Sequence, residues 1–112
     1  MKRYKLSESG DRGWFVGAFD RAIWKTDLFE VAYMFNPKGD MSESHVHKIA
    51  KELSLIVKGH VIVGGEEFVE GDIFEISPNE VISNCHYLED TFTVCVKMPS
   101  VPTDKYYVQT VF

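Results

Sequence analysis

Short apolar runs separated by turn-forming residues dominate the chain. Val, Ile, Leu, Phe, Tyr and Trp concentrate over residues 14–19, 28–35, 53–58, 61–63, 73–76, 81–83 and 92–98, with Gly, Pro, Asn and Asp between them. Runs of this length, rich in β-branched and aromatic residues, predict strands. The best helical candidate, Lys48, Ala50 and Leu53, covers about one turn, short of the roughly 8 residues that open the usual helix range. An all-β fold with almost no helix is expected.

The turns carry more detail. Lys58-Gly59-His60 and Gly64-Gly65-Glu66 interrupt apolar runs with residues tolerant of positive φ, so hairpins are expected at both. Another hairpin is expected at Leu88-Glu89-Asp90-Thr91. It would set Cys85 opposite Cys95 on neighbouring strands and make a disulfide conceivable, although reduced, buried thiols are the plainer expectation for two cysteines without C-x-x-C spacing. In residues 14–19 both alternating sets are largely apolar, as in a strand buried on two sides or at a subunit contact. No repeat of fixed period and no linker is visible. The 112 residues are read as one domain, 1–112, with a core of about 13–99 and an extended tail over 100–112 that Pro102 keeps to an edge.

Charge narrows the partners. Twelve basic against 17 acidic residues leave a net charge of −5, and no basic run extends beyond Lys2-Arg3-Tyr4-Lys5, which argues against nucleic acid. No stretch nears the ~18 consecutive apolar residues of a membrane span, and the first residues lack an apolar leader segment, so a cytoplasmic location away from membranes is expected. Glu66, Glu67, Glu70 and Asp72 read as a solvated acidic face, since they lack the regular oxygen-ligand spacing of calcium loops.

Candidate chemistry centres on His45 and His47. On a strand, residues i and i+2 point to one face, so both imidazoles can enter one cavity while Val46 packs behind. Two neutral imidazoles with a nearby carboxylate, Glu52, form a site for a divalent transition metal. His60, after a turn glycine, is expected to be solvated. Among the aromatics before the pair, most are expected to be core, and Tyr33, with its polar tip, is the best pocket candidate.

These residues sit in a wider frame of Gly39, His45, His47, Glu52 and Gly59. The frame resembles the first motif of the cupin superfamily, G-x5-H-x-H-x3,4-E-x6-G, at every fixed position. Residues 71–80 are similar to the opening of the second motif, with one extra residue before Pro78 and Glu80 where a glycine is usual. Where that motif supplies a third metal-binding histidine, this chain has Ser83. His86 is the reserve ligand, turned inward only by a bulge or a register shift. The resemblance covers about residues 13–99, and the chain's end is similar to that of small, uncharacterised single-domain cupins.

The resemblance implies a jelly-roll barrel, or double-stranded β-helix, with a pocket at its mouth. Relatives use such pockets for dioxygenation, decarboxylation, sugar isomerisation or epimerisation, and plain binding, so enzyme status stays open. The leading expectation is a pocket holding Fe(II), Mn(II), Ni(II) or Zn(II) on His45, His47 and Glu52, with His86 in reserve and Tyr33 and Ser83 in the pocket wall. Its ligand would be a small polar molecule such as a carbohydrate or carboxylate. A binding or sensing module without metal, and a metal-free isomerase or epimerase, are the alternatives. A homodimer is expected through the apolar N-terminal strand and the aromatic tail Tyr106-Tyr107-Val108.

Overall fold

The computed structural model describes residues 1–108. Eleven strands follow one 3-10 turn at Leu6–Glu8: β1 (Trp14–Val16), β2 (Glu30–Asn36), β3 (His45–Val46), β4 (Lys51–Lys58), β5 (His60–Val63), β6 (Glu66–Val69), β7 (Ile73–Ile76), β8 (Val81–Ile82), β9 (His86–Tyr87), β10 (Thr91–Met98) and β11 (Tyr106–Tyr107). The expected all-β class is observed. One sheet has the order β1-β2-β10-β4-β7, and two smaller ones run β11-β3-β8 and β6-β5-β9. Most neighbours are far apart in sequence, as in a jelly roll, and every pair is antiparallel.

That topology corrects two of the three expected hairpins. Gly64 and Gly65, at φ 58° and 81°, do join β5 to β6 in a two-residue turn with Val63 opposite Glu66. Gly59 instead marks a corner: β4 pairs with β10 and β7, whereas β5 pairs with β6 and β9, so the chain changes sheets there. The glycine is required at this corner, because at φ 116° a Cβ would collide with the backbone of Asp90 and Thr91. Leu88 to Thr91 is a second sheet change, from β9 beside β5 to β10 between β2 and β4. Cys85 therefore does not face Cys95, whose cross-strand neighbours are Ala32 and Ser54, and both thiols are free. Local punctuation signals a turn but not which sheet the chain enters next.

The first strand is also shorter than expected. It ends at Val16, and Gly17 at φ 152° takes the chain so close to Phe19 and Glu30 that a side chain there would overlap both. The tail is no loose appendage. Tyr106 and Tyr107 form an edge strand on β3, opposite Val46 and His45. Asp104 accepts hydrogen bonds from the backbone N–H groups of Lys48, Ile49 and Ala50, each at 2.9 Å. The rest of the expected tail, residues 109–112, lies outside the described residues.

The register of the five-stranded sheet places polarity in an unusual order. One face carries the rows Glu30-Lys97-Glu52-Ile76, Ala32-Cys95-Ser54-Phe74 and Met34-Thr93-Ile56. The other carries Val31-Val96-Leu53-Glu75, Tyr33-Val94-Leu55-Ile73 and Phe35-Phe92. Buried Ala32, Ser54, Ile56, Thr93, Cys95 and Glu30 all belong to the first set, so the more polar face is the inner one. An interior that accepts Glu30, Ser54 and Thr93 must give them partners, and that requirement shapes the cavity described next.

Candidate functional site

Inside the barrel lies a cavity of about 490 Å³, within the usual range of small-molecule pockets. It draws residues from all three sheets: Glu52, Ser54 and Lys97 from the large sheet, His45 and Ile82 from the second, Val61 and Tyr87 from the third. Its walls combine apolar side chains such as Ile56 and Phe74 with a smaller set of polar groups.

His45 and His47 both line this cavity. The β3 strand is only two residues long, yet its pairing to β11 and β8 aims the two rings to one side, with centroids 5.1 Å apart and edge to face. Asp104 fixes the backbone just beyond His47, which holds the pair from its C-terminal side. His45 Nδ1 lies 3.2 Å from the carbonyl of Glu43. His47 is 2 % exposed, and neither of its ring nitrogens has a hydrogen-bond partner. Burial, with the Lys97 ammonium and His45 nearby, lowers the His47 pKa to about 4. Burial lowers His45 as well, against the opposing pull of the Glu43 carbonyl. At neutral pH both imidazoles are therefore unprotonated and able to offer lone pairs.

Glu52 lines the same cavity from β4, directly opposite Lys97 in the strand register. Burial raises its pKa, and Lys97 acts in the other direction. Lys97 itself lies 3.7 Å from the Glu30 carboxylate and 4.7 Å from the Trp14 ring centroid. Ser100 Oγ donates to the other Glu30 oxygen at 3.1 Å and accepts from the Ala18 N–H at 2.9 Å. Glu30 is thus held from two sides, and it holds the lysine. Cys95 packs beside this row, its Sγ 3.3 Å from Ser54 Oγ; burial and then Glu52 raise its pKa, so it is a thiol. Cys85 and Tyr87 line the cavity, and burial raises both of their pKa values.

Three sequence candidates stand elsewhere. Tyr33 lies on the outer face of the large sheet, stacked 6.1 Å from Phe92, because alternation from buried Ala32 turns it outward. Ser83 is exposed in the link between β8 and β9 and is not part of the cavity wall; Ile82 occupies the inward position instead. His86 pairs with Ile62 across β5 and bridges Met41, and it too is outside the wall. His60 is half-buried, with Nε2 3.7 Å from Glu67, rather than solvated. The residues that sequence reasoning missed are Glu30, Lys97, Cys85 and Tyr87. The alternation of Thr91, Thr93, Cys95 and Lys97 with Phe92, Val94 and Val96 carried a signal for Lys97, but only if the polar set is taken as the inner one.

The donor set fits a divalent metal at the two imidazoles: both are neutral and adjacent, and His47 has two buried nitrogens without partners. Among the described residues no three His, Cys, Asp or Glu side chains form a ready ligand group, so Glu52 would have to move toward the pair to join it.

No family model matches the chain, and no curated protein matches it either. Solved structures do. An uncharacterised conserved protein with a double-stranded β-helix domain from Klebsiella pneumoniae superposes with a TM-score of 0.70 at 16% identity, covering 97% of this chain and 93% of that one. KdgF from a Halomonas species matches with a TM-score of 0.59 at 20% identity over 68% of this chain and 74% of its own. A sugar phosphate isomerase of the cupin superfamily from Silicibacter pomeroyi gives 0.61 at 17% identity, over 74% of this chain and 58% of that one. With its sheets, its antiparallel register and these structural neighbours, the chain has the cupin fold, a small double-stranded β-helix around a cavity whose wall is mostly apolar with a few polar groups.

Proposed function

We propose that this chain binds or transforms a small polar molecule, a carbohydrate or carboxylate, in its barrel cavity, beside a divalent transition metal carried by His45 and His47. The observation that carries the reading is His47, whose two ring nitrogens are buried and unpartnered next to a second neutral imidazole. A buried imidazole left without partners costs about 1–3 kcal/mol, a cost that a ligand or metal removes. Glu52, on the same cavity wall, is the third donor in this proposal once its side chain turns toward the pair. Iron, manganese, nickel and zinc in the divalent state all accept such nitrogen and oxygen donors. When bound, the metal supplies Lewis acidity toward a ligand oxygen.

The chain's own residues do the remaining work. Lys97, pinned between Glu30 and Trp14, presents an ammonium to a carboxylate or hydroxyl of the ligand, and Ile56 and Phe74 give the same cavity an apolar wall farther along the sheet. The names of cupin-fold neighbours, among them a sugar phosphate isomerase, support a polar ligand of this size. A second reading is favoured by Glu52, whose raised pKa suits a carboxyl that exchanges a proton with a ligand in a metal-free isomerase or epimerase. Free Cys85 and Cys95 suit a reducing, cytoplasmic setting, and a homodimer completes the proposal.

Calorimetric titration of chelator-treated protein with Mn(II) and Zn(II) separates the readings. The metal reading expects saturable binding that His47→Ala removes. Absence of binding, together with ligand turnover that depends on Glu52 alone, would favour the metal-free reading.

A further inference from the structure

We infer that Lys105, carried to the cavity wall by the C-terminal tail, selects an acid as the ligand, whose carboxylate lies between the Lys105 ammonium and the histidine pair. The inference rests on the reading of the cavity as a small-molecule site, and it narrows the ligand from a carbohydrate or carboxylate to a negatively charged molecule, a small organic or sugar acid.

Backbone placement is the first argument. The N–H groups of Lys48, Ile49 and Ala50 hold Asp104, and just beyond it Tyr106 and Tyr107 pair with Val46 and His45. Residues paired across antiparallel strands share a face, so Tyr107 lies on the face of His45. Continuing that register by one residue sets Lys105 across from His47, on the same face. The Lys105 side chain accordingly lines the cavity, whereas Lys48 turns its ammonium to the Tyr106 ring, 4.0 Å away, outside the cavity wall. Lys105 Nζ lies 5.3 Å from the Tyr107 ring centroid, so the tyrosine limits where the ammonium can go.

Charge is the second argument. Arg12, Lys97 and Lys105 are the basic residues of the wall. Arg12 has Asp11 at 3.3 Å and Lys97 has Glu30 at 3.7 Å, but Lys105 has no ion-pair partner among the described residues. Asp104 beside it is occupied by backbone donors, and Glu52, a buried carboxyl, forms an ion pair with neither lysine. After burial, Lys97 and Lys105 are among the groups that lower the pKa of both imidazoles, so both ammonium groups lie within electrostatic reach of the pair. Two cations beside two neutral rings, with one cation unmatched, make a potential that attracts anions. A neutral sugar leaves Lys105 unmatched, whereas a carboxylate gives it a charge-assisted hydrogen bond. The same holds with the histidines bare or metal-loaded, since neither state brings Lys105 a carboxylate.

NMR of the histidine ring signals at neutral pH, with and without added Zn(II), tests this. The probes are acetate and gluconate, each compared with a neutral counterpart, acetamide and sorbitol. The acids are expected to move the His45 and His47 signals saturably, and the neutral molecules to bind more weakly. Lys105→Met should weaken acid binding about fivefold, the upper end for an exposed ion pair, while Lys105→Arg restores it and sorbitol binding stays unchanged. The Lys105 side-chain signals of the unmodified chain give the same answer should the variant fail to fold, since only the acids should move them. Acid binding that is unchanged in Lys105→Met, or neutral probes bound as tightly as the acids, overturns the inference and leaves the small-molecule reading standing. No response to either acid also overturns it. Zn(II) binding by the histidine pair is read in the same spectra, so the metal reading stands or falls separately.

Discussion

At the scale of single residues, two buried side chains couple the candidate site to pH. Asp104 accepts three backbone hydrogen bonds; burial alone would raise its pKa, but the N–H groups of Ala50, Ile49 and Lys48 bring it below the ordinary 3.8. Its folded-state pKa is depressed, so its contribution is complete above 3.8 and is lost as pH falls through the lower folded value. Asp104→Ala should cost roughly 3 kcal/mol in urea unfolding at neutral pH, because it strands donors beside the histidine pair. His47 acts in the range just above. Its folded pKa of about 4 lies below the unbound 6.5, so the unfolded chain takes up the proton first and stability declines as pH falls from 6.5 toward 4. For metal-free protein that window should span about 3 kcal/mol, and His47→Gln should flatten it. A urea midpoint that does not change between those pH values would contradict the neutral, buried imidazole.

At the scale of elements, the sequence was most legible where a residue type answers a local demand. Gly64 and Gly65 mark a turn because two consecutive positive φ values need them, and the apolar runs mark β2, β4 and β10 because alternation survives in any sheet. The corners were illegible for the opposite reason. Gly59 and the Leu88 to Thr91 link look like hairpins locally, and only long-range pairing reveals that each changes sheet. The same limit hid the site. His45 and His47 were visible from spacing, whereas Ser83 rested on its place in the second motif and Tyr33 on its polar tip near the first; neither signal says which way a side chain turns, and the register of the large sheet puts Tyr33 on the outer face. The corner glycine provides a test: Gly59→Ala should cost roughly 2 kcal/mol or more by thermal unfolding, since it combines φ 116° with backbone overlap at Asp90 and Thr91. Gly39→Ala, at φ 89° with open space around the missing side chain, should cost less. Equal losses at both glycines would remove the close approach from the explanation.

At the scale of the whole molecule, three sheets enclose one cavity, and every functional candidate that the structure brings together lies on its wall: His45, His47 and Glu52 with Glu30 and Lys97. The more polar inner face and the more apolar outer face of the large sheet are two results of one register. Lys97→Met tests the inner half. It leaves Glu30 buried and unpaired, so it should destabilise the fold measurably, and it should also weaken binding of small carboxylates more than binding of neutral polyols of similar size. Equal loss for both ligand classes would assign Lys97 a structural role only. The central claim, that the histidine pair carries a metal, is tested most directly by elemental analysis of protein purified without a metal-affinity tag, alongside the His45→Ala, His47→Ala double variant. The account predicts about one divalent transition metal per chain in the unmodified protein and almost none in the folded variant. No stoichiometric metal in the unmodified protein, or equal metal in both, would contradict it.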